Sequence, residues 1–195
     1  MTSLVIALVS QGRNPDATVT NIFVPVKSNF ERVISCSGAY DSVDTNCSPS
    51  HGLQYQATGW SVSWNKKINL AFLLPYLQSG VILNILNYEG SNAAFTVGPQ
   101  TVYQTLDPIK AALSSIQTTN IGADANVTMF GYSGGGFATE WATEIRAWYA
   151  PKLPIVGAVI GGPSPNVTST YYNVNKVPLS ILNGAAILRI MSEWM

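Results

Sequence analysis

Apolar positions fall first in short runs rich in Val, Ile and Thr, and later in longer stretches with a helical repeat. Ser3 to Ser10 and Ala17 to Pro25 are runs of the first kind, and the turn residues Gly12-Arg13-Asn14-Pro15-Asp16 lie between them, so the chain should open as an antiparallel hairpin. Arg32 to Ser37 reads as a third strand, followed by a polar loop from Gly38 to Ser50 that carries Asp41, Asp44, Cys47 and Pro49. Beyond it the pattern alternates. Trp64 to Gln78 reads as a short helix disturbed at Pro75, Val81 to Leu86 as a strand, and Gln100 to Gln117 as a helix with Leu106, Ile109, Leu113 and Ile116 on one face. Asn126 to Phe130 is strand-like, Gly134 to Ala150 is helix-like and stopped by Pro151, and Ile155 to Ile160 is read as a buried strand ending in Gly161-Gly162-Pro163. This order predicts an α/β fold, a mostly parallel sheet with crossover helices. A last helical pattern spans Leu179 to Trp194.

Composition narrows the function. A chain of 195 residues suits one domain. Only 10% of its residues are charged, with ten basic and ten acidic side chains, so no field exists to gather nucleic acid. The longest uninterrupted apolar run, Leu4 to Val9, is far short of a membrane span. Met1 to Gln11 shows no basic start, long apolar stretch or small-residue cleavage site, so no signal peptide is visible. Two cysteines, Cys36 and Cys47, allow one internal bridge, two outside bonds or two free thiols.

The candidate chemistry lies between the strand and helix that flank Gly131-Tyr132-Ser133-Gly134-Gly135. In a nucleophile elbow the strand reverses sharply into a helix, the serine takes a strained backbone conformation, and glycines two before and two after prevent collision. Gly131 and Gly135 occupy those places. Gly134, Ala138 and Ala142 recur every four residues and let the helix lie close to the sheet, with Phe137, Trp141, Ile145 and Trp148 as the adjacent apolar stripe. The Gly134 N–H, at the positive end of that helix, is an oxyanion donor candidate. A phosphate-cradling loop is the lesser alternative, because Phe137 stands where its Lys would follow.

A serine needs a base, and in this fold an acid and a histidine follow it in sequence. The only histidine, His51, precedes Ser133, and the only acids after it are Glu140, Glu144 and Glu193. His51, between Ser50 and Gly52, reads as a loop residue rather than the base.

Four blocks then identify a family: Ala39 to Ser50, Asn87 to Gln100, Gly131 to Pro151 and Gly157 to Val167. In this order they resemble the fungal secretory lipases of the lipase-A type, α/β-hydrolases that act on triacylglycerols and related esters. The resemblance implies Ser133 as nucleophile, with Gly134 and Asp41 forming the oxyanion hole. An ionised Asp41 would repel an oxyanion, so it must act through its backbone N–H or as a neutral acid. It also implies an ester or lipid substrate, no cofactor or metal, possible contact with a lipid interface, and an extracellular location. Departures are present: Leu86-Asn87 replaces the family's Pro-Asp, His51 replaces an aromatic residue, and Cys47 matches a half-cystine whose partner lies in the later half. The chain reads as truncated before the helical cap and the C-terminal strands, with residues 1–162 as the hydrolase portion and 163–195 as the start of the cap. Without the family's Asp and His, the isolated chain is expected to be inactive. The competing expectation is a non-catalytic relative that binds lipid or a protein partner.

Overall fold

The computed structural model describes residues 2–9, 17–54, 57, 71–93, 97–180, 183–184 and 187. Six strands form one sheet: β1 (Thr2–Val9), β2 (Ala17–Val24), β3 (Asn29–Ser37), β4 (Val81–Leu86), β5 (Asn126–Tyr132) and β6 (Ile155–Gly161). Their order across the sheet is β1-β2-β4-β3-β5-β6. β1 pairs antiparallel with β2, from Thr2 opposite Val24 to Val9 opposite Ala17, as the opening pattern implies. β2 meets β4 antiparallel, and β4, β3, β5 and β6 then run parallel to one another. The turn at residues 12–16 lies outside the described residues, as do residues 64–70 of the first expected helix and most of 179–194.

Among the described residues the sheet is accompanied by helices α1 (Pro49–Gly52), α2 (71–78), α3 (Gly98–Ser114), α4 (Ile116–Thr119), α5 (Gly134–Tyr149) and α6 (Val167–Val174). Strand alternation sorts the core into two layers. Val33, Ile82, Val127 and Met129 pack with Val102, Leu106, Ile109 and Leu113 of α3 and Ala142 of α5. On the other side, Cys36, Leu83 and Ile85 pack with Leu73 and Leu77 of α2. α3 and α5 approach so closely that a Cβ at Gly98 would overlap the Trp141 ring. Asn84, fully buried in mid-strand, accepts from the Thr20 hydroxyl and donates to Ser35 Oγ at 3.1 Å and to the Pro108 carbonyl at 3.3 Å, which ties α3 to the sheet.

Three expectations need correction. The long helix breaks at Ser115, so Ile116 begins a separate turn and is exposed instead of facing the core. Trp148 is 78% exposed, because the end of α5 turns the neighbouring Tyr149 onto the core, where Trp141 and Ile145 also pack, and leaves Trp148 facing away. β6 is not buried: it is an edge strand, and Val156, Val159 and Ile160 face solvent among the described residues.

Candidate active site

Ser133 stands between β5 and α5 with φ 55° and ψ −122°, a left-handed conformation that an L-residue avoids at a cost of about 1–3 kcal/mol. Its neighbours hold it there. The Ser133 N–H donates to the Gly161 carbonyl at 2.9 Å, and the Phe137 N–H donates to the Ser133 carbonyl at 3.0 Å. The glycine spacing is a steric necessity. A Cβ at Gly131 would overlap the Gly135 carbonyl oxygen and Thr139 Oγ1, and one at Gly135 would overlap the Ser37 carbonyl. The half-buried Ser133 side chain caps no N–H of α5, and no described side chain hydrogen-bonds its hydroxyl.

The loop after β3 brings Asp41 to the start of α5. A Cβ on Gly134 would overlap Asp41 Oδ1 and lie 3.1 Å from the Tyr88 hydroxyl, so the three candidate residues Ser133, Gly134 and Asp41 meet at one end of one helix. Asp41 Oδ1 is buried without a hydrogen-bond partner, and burial pushes this carboxyl up to about 6. It therefore carries its proton well above the pH at which an exposed aspartate loses it.

Tyr88 is the residue that sequence reasoning missed. Its hydroxyl donates to the Tyr40 carbonyl at 2.8 Å and accepts from the Tyr40 N–H at 3.1 Å, fixing both backbone polar groups of the residue before Asp41. The two rings meet edge to face, 6.0 Å apart at 72°. Burial, then the charge of buried Glu89, pushes both phenols above their ordinary value, so both stay neutral. Tyr88 lies in one of the blocks that carry the family resemblance, but nothing local links it to a loop 48 residues earlier.

The departures also find their places. Asn87 Nδ2 donates to the Gly90 carbonyl at 3.3 Å across a turn in which Gly90 has φ 71°, a bond that an ionised aspartate could not donate. His51 sits in α1, its N–H donating to Ser48 Oγ at 3.2 Å, and makes no hydrogen bond to Ser133. Cys36 and Cys47 are not joined by a disulfide. Among the described residues no group of three or more His, Cys, Asp or Glu side chains could hold a metal ion, and no helix is long and apolar enough to cross a membrane.

A family model described as secretory lipase matches residues 55–193. Lipase 1 of Candida albicans is 40% identical over 159 residues, covering 80% of this chain and 34% of its own length. A secreted triacylglycerol lipase of Malassezia furfur is 35% identical over 182 residues, covering 93% of this chain and 34% of its own. Among solved structures, that of Candida antarctica lipase A superimposes with a TM-score of 0.81 at 28% identity, over 96% of this chain and 44% of that one. The chain thus spans well under half the length of these relatives, and its fold is the α/β-hydrolase fold.

Proposed function

The chain belongs to the secretory lipase family, and from that premise we propose that it carries the nucleophilic half of an extracellular carboxylic ester hydrolase acting on triacylglycerols and related esters. The observation that supports this most is the strained Ser133 beside the Gly134 N–H and the buried Asp41 carboxyl. Ser133 Oγ attacks the ester carbonyl carbon and its proton passes to a base, for which the described residues offer no hydrogen-bonded partner. The carbonyl oxygen becomes an oxyanion that accepts from the Gly134 N–H at the positive end of α5, and from either the Asp41 N–H or the neutral Asp41 carboxyl. The carbonyl re-forms, the alcohol leaves with a proton, and water releases the acid from the acyl-serine. In this reading residues 163–195, which include α6, are the start of a cap.

The test is a chimera in which residues 1–195 replace the matching segment of Candida antarctica lipase A, assayed with p-nitrophenyl butyrate after thermal melting confirms that it folds. Ser133→Ala should lower turnover at least about 10⁴-fold, because members of a triad act as a unit. A folded chimera indifferent to that change would refute the proposal. A second reading, a non-catalytic binding module, draws on the exposed Val156, Val159, Ile160 and Trp148. Saturable fatty-acid binding by a chain whose chimera hydrolyses no ester would favour it.

A further inference from the structure

Three Asn-X-Ser/Thr triplets, the acceptor pattern for N-linked oligosaccharide, occur in the chain: Asn46-Cys47-Ser48, Asn126-Val127-Thr128 and Asn166-Val167-Thr168. All three asparagines are exposed, so exposure alone does not choose among them. A glycan is bulky and hydrated, and the amide nitrogen that carries it must face water in the finished fold and hold no other bond. In the first triplet the Ser48 side chain is buried and engaged: its Oγ accepts from the His51 N–H at 3.2 Å and lies 2.9 Å from Ser50 Oγ, and Pro49 follows at once to start α1. The second triplet is part of the sheet. It opens β5, an interior strand, with Asn126 opposite Arg32 of β3 and Thr128 between Ile34 of β3 and Gly157 of β6.

Asn166 is placed differently. It follows the segment 162–165 that leaves β6, has extended backbone with φ −116° and ψ 94°, and caps α6. Pro163 of that segment packs on the first turn of α5, 3.4 Å from where a Gly136 Cβ would stand, so the triplet lies at the end of the sheet that carries Ser133. The two polar atoms of the Asn166 side chain divide the work. Oδ1 accepts from the Ser169 N–H at 2.8 Å, whereas Nδ2 has no partner among the described residues. Thr168 is exposed too, and α6 buries none of its residues.

We infer that Asn166 is an N-glycosylation site that takes an oligosaccharide from a polyprenyl-pyrophosphate donor. The inference rests on the extracellular reading of the chain, because that donor is met on the secretory route. In the transfer Asn166 Nδ2 forms a bond to the anomeric carbon of the first sugar and gives up one proton. The bond from that carbon to the phosphate oxygen breaks, and the polyprenyl pyrophosphate leaves with the electron pair, so nothing is oxidised or reduced. Oδ1 takes no part, and the cap of α6 survives the modification.

The test secretes the full 195-residue chain from a yeast host behind a cleavable signal, with one efficient acceptor triplet appended after Met195 as a reporter. Peptides are treated with a peptide N-glycosidase in heavy-oxygen water, which turns each glycan-bearing amide into a labelled carboxylate, and are read by mass spectrometry. Label at position 166 is the expected result. Asn166→Asp, which keeps an oxygen to cap α6, and Thr168→Val, which leaves the cap alone, should each abolish the glycan at this position and preserve the cooperative melt. Thr168→Ser, which restores the hydroxyl, should retain it. A labelled reporter with a bare Asn166 peptide overturns the site; it leaves the extracellular reading standing, because the added signal brings the chain to the donor whatever its natural route. Label at Asn46 or Asn126 with Asn166 bare overturns the choice drawn from the fold.

Discussion

Asp41 offers the sharpest quantitative test, because its surroundings set a measurable energy. Its carboxyl loses water on burial and gains no partner for Oδ1, which moves it from the ordinary 3.8 to about 6. At about 1.36 kcal/mol per pKa unit, the charged form is disfavoured in the fold by about 3 kcal/mol. The sign follows from proton binding. Between pH 3.8 and about 6 the folded chain keeps a proton that the unfolded chain has released, so this contribution is fully present below pH 3.8 and is lost as pH rises through 6. Asp41→Asn removes the titration and keeps the shape. Urea unfolding of both proteins at pH 4 and pH 8 should show the variant gaining about 2.4 kcal/mol on the wild type between the two pH values, since about 0.6 kcal/mol of the effect is already lost at pH 4. For a chain of this size that is about 1 M in the urea midpoint. A midpoint difference that stays constant within about 0.2 M across this range would refute the burial of Asp41. It would also remove the case for a neutral acid at the oxyanion.

Tyr88→Phe strips the Tyr40 N–H and carbonyl of their shared partner, and leaving two buried backbone groups unsatisfied should cost about 3 kcal/mol in urea unfolding; a loss below about 0.5 kcal/mol would contradict the clamp. Gly135→Ala drives a Cβ into the Ser37 carbonyl and should leave no cooperative melt, whereas Gly157→Ala, with nothing within 4 Å of its new Cβ, should melt within a few degrees of wild type or above it. The 195-residue chain alone should hydrolyse p-nitrophenyl butyrate no faster than its Ser133→Ala variant, since no described group hydrogen-bonds the serine hydroxyl; serine-dependent turnover at enzyme-like rates would reverse that expectation.

What the sequence revealed was local. The elbow is written in five consecutive residues, because the collisions avoided at Gly131 and Gly135 lie within one turn of chain. The strands were legible because apolar positions alternate along β5, where Val127, Met129 and Gly131 are buried in turn. Longer-range facts were not legible. Val156, Val159 and Ile160 are as apolar as a buried strand requires, yet burial depends on neighbours, and among the described residues β6 has a strand on only one side. Asp41 was placed by family resemblance, and the structure adds its approach to Gly134 and the cause of its raised pKa. The Tyr88 clamp depends on β3 and β4 being sheet neighbours, a pairing no local pattern specifies.

The proposed mechanism requires that Ser133 form the covalent intermediate, and that bond can be mapped. The folded chimera is quenched with acid during turnover of p-nitrophenyl butyrate, then digested and analysed by mass spectrometry. A butyryl adduct on Ser133, absent from the Ser133→Ala chimera, is the expected result. Turnover that continues with the adduct on another residue, or with Ser133 replaced, would contradict it.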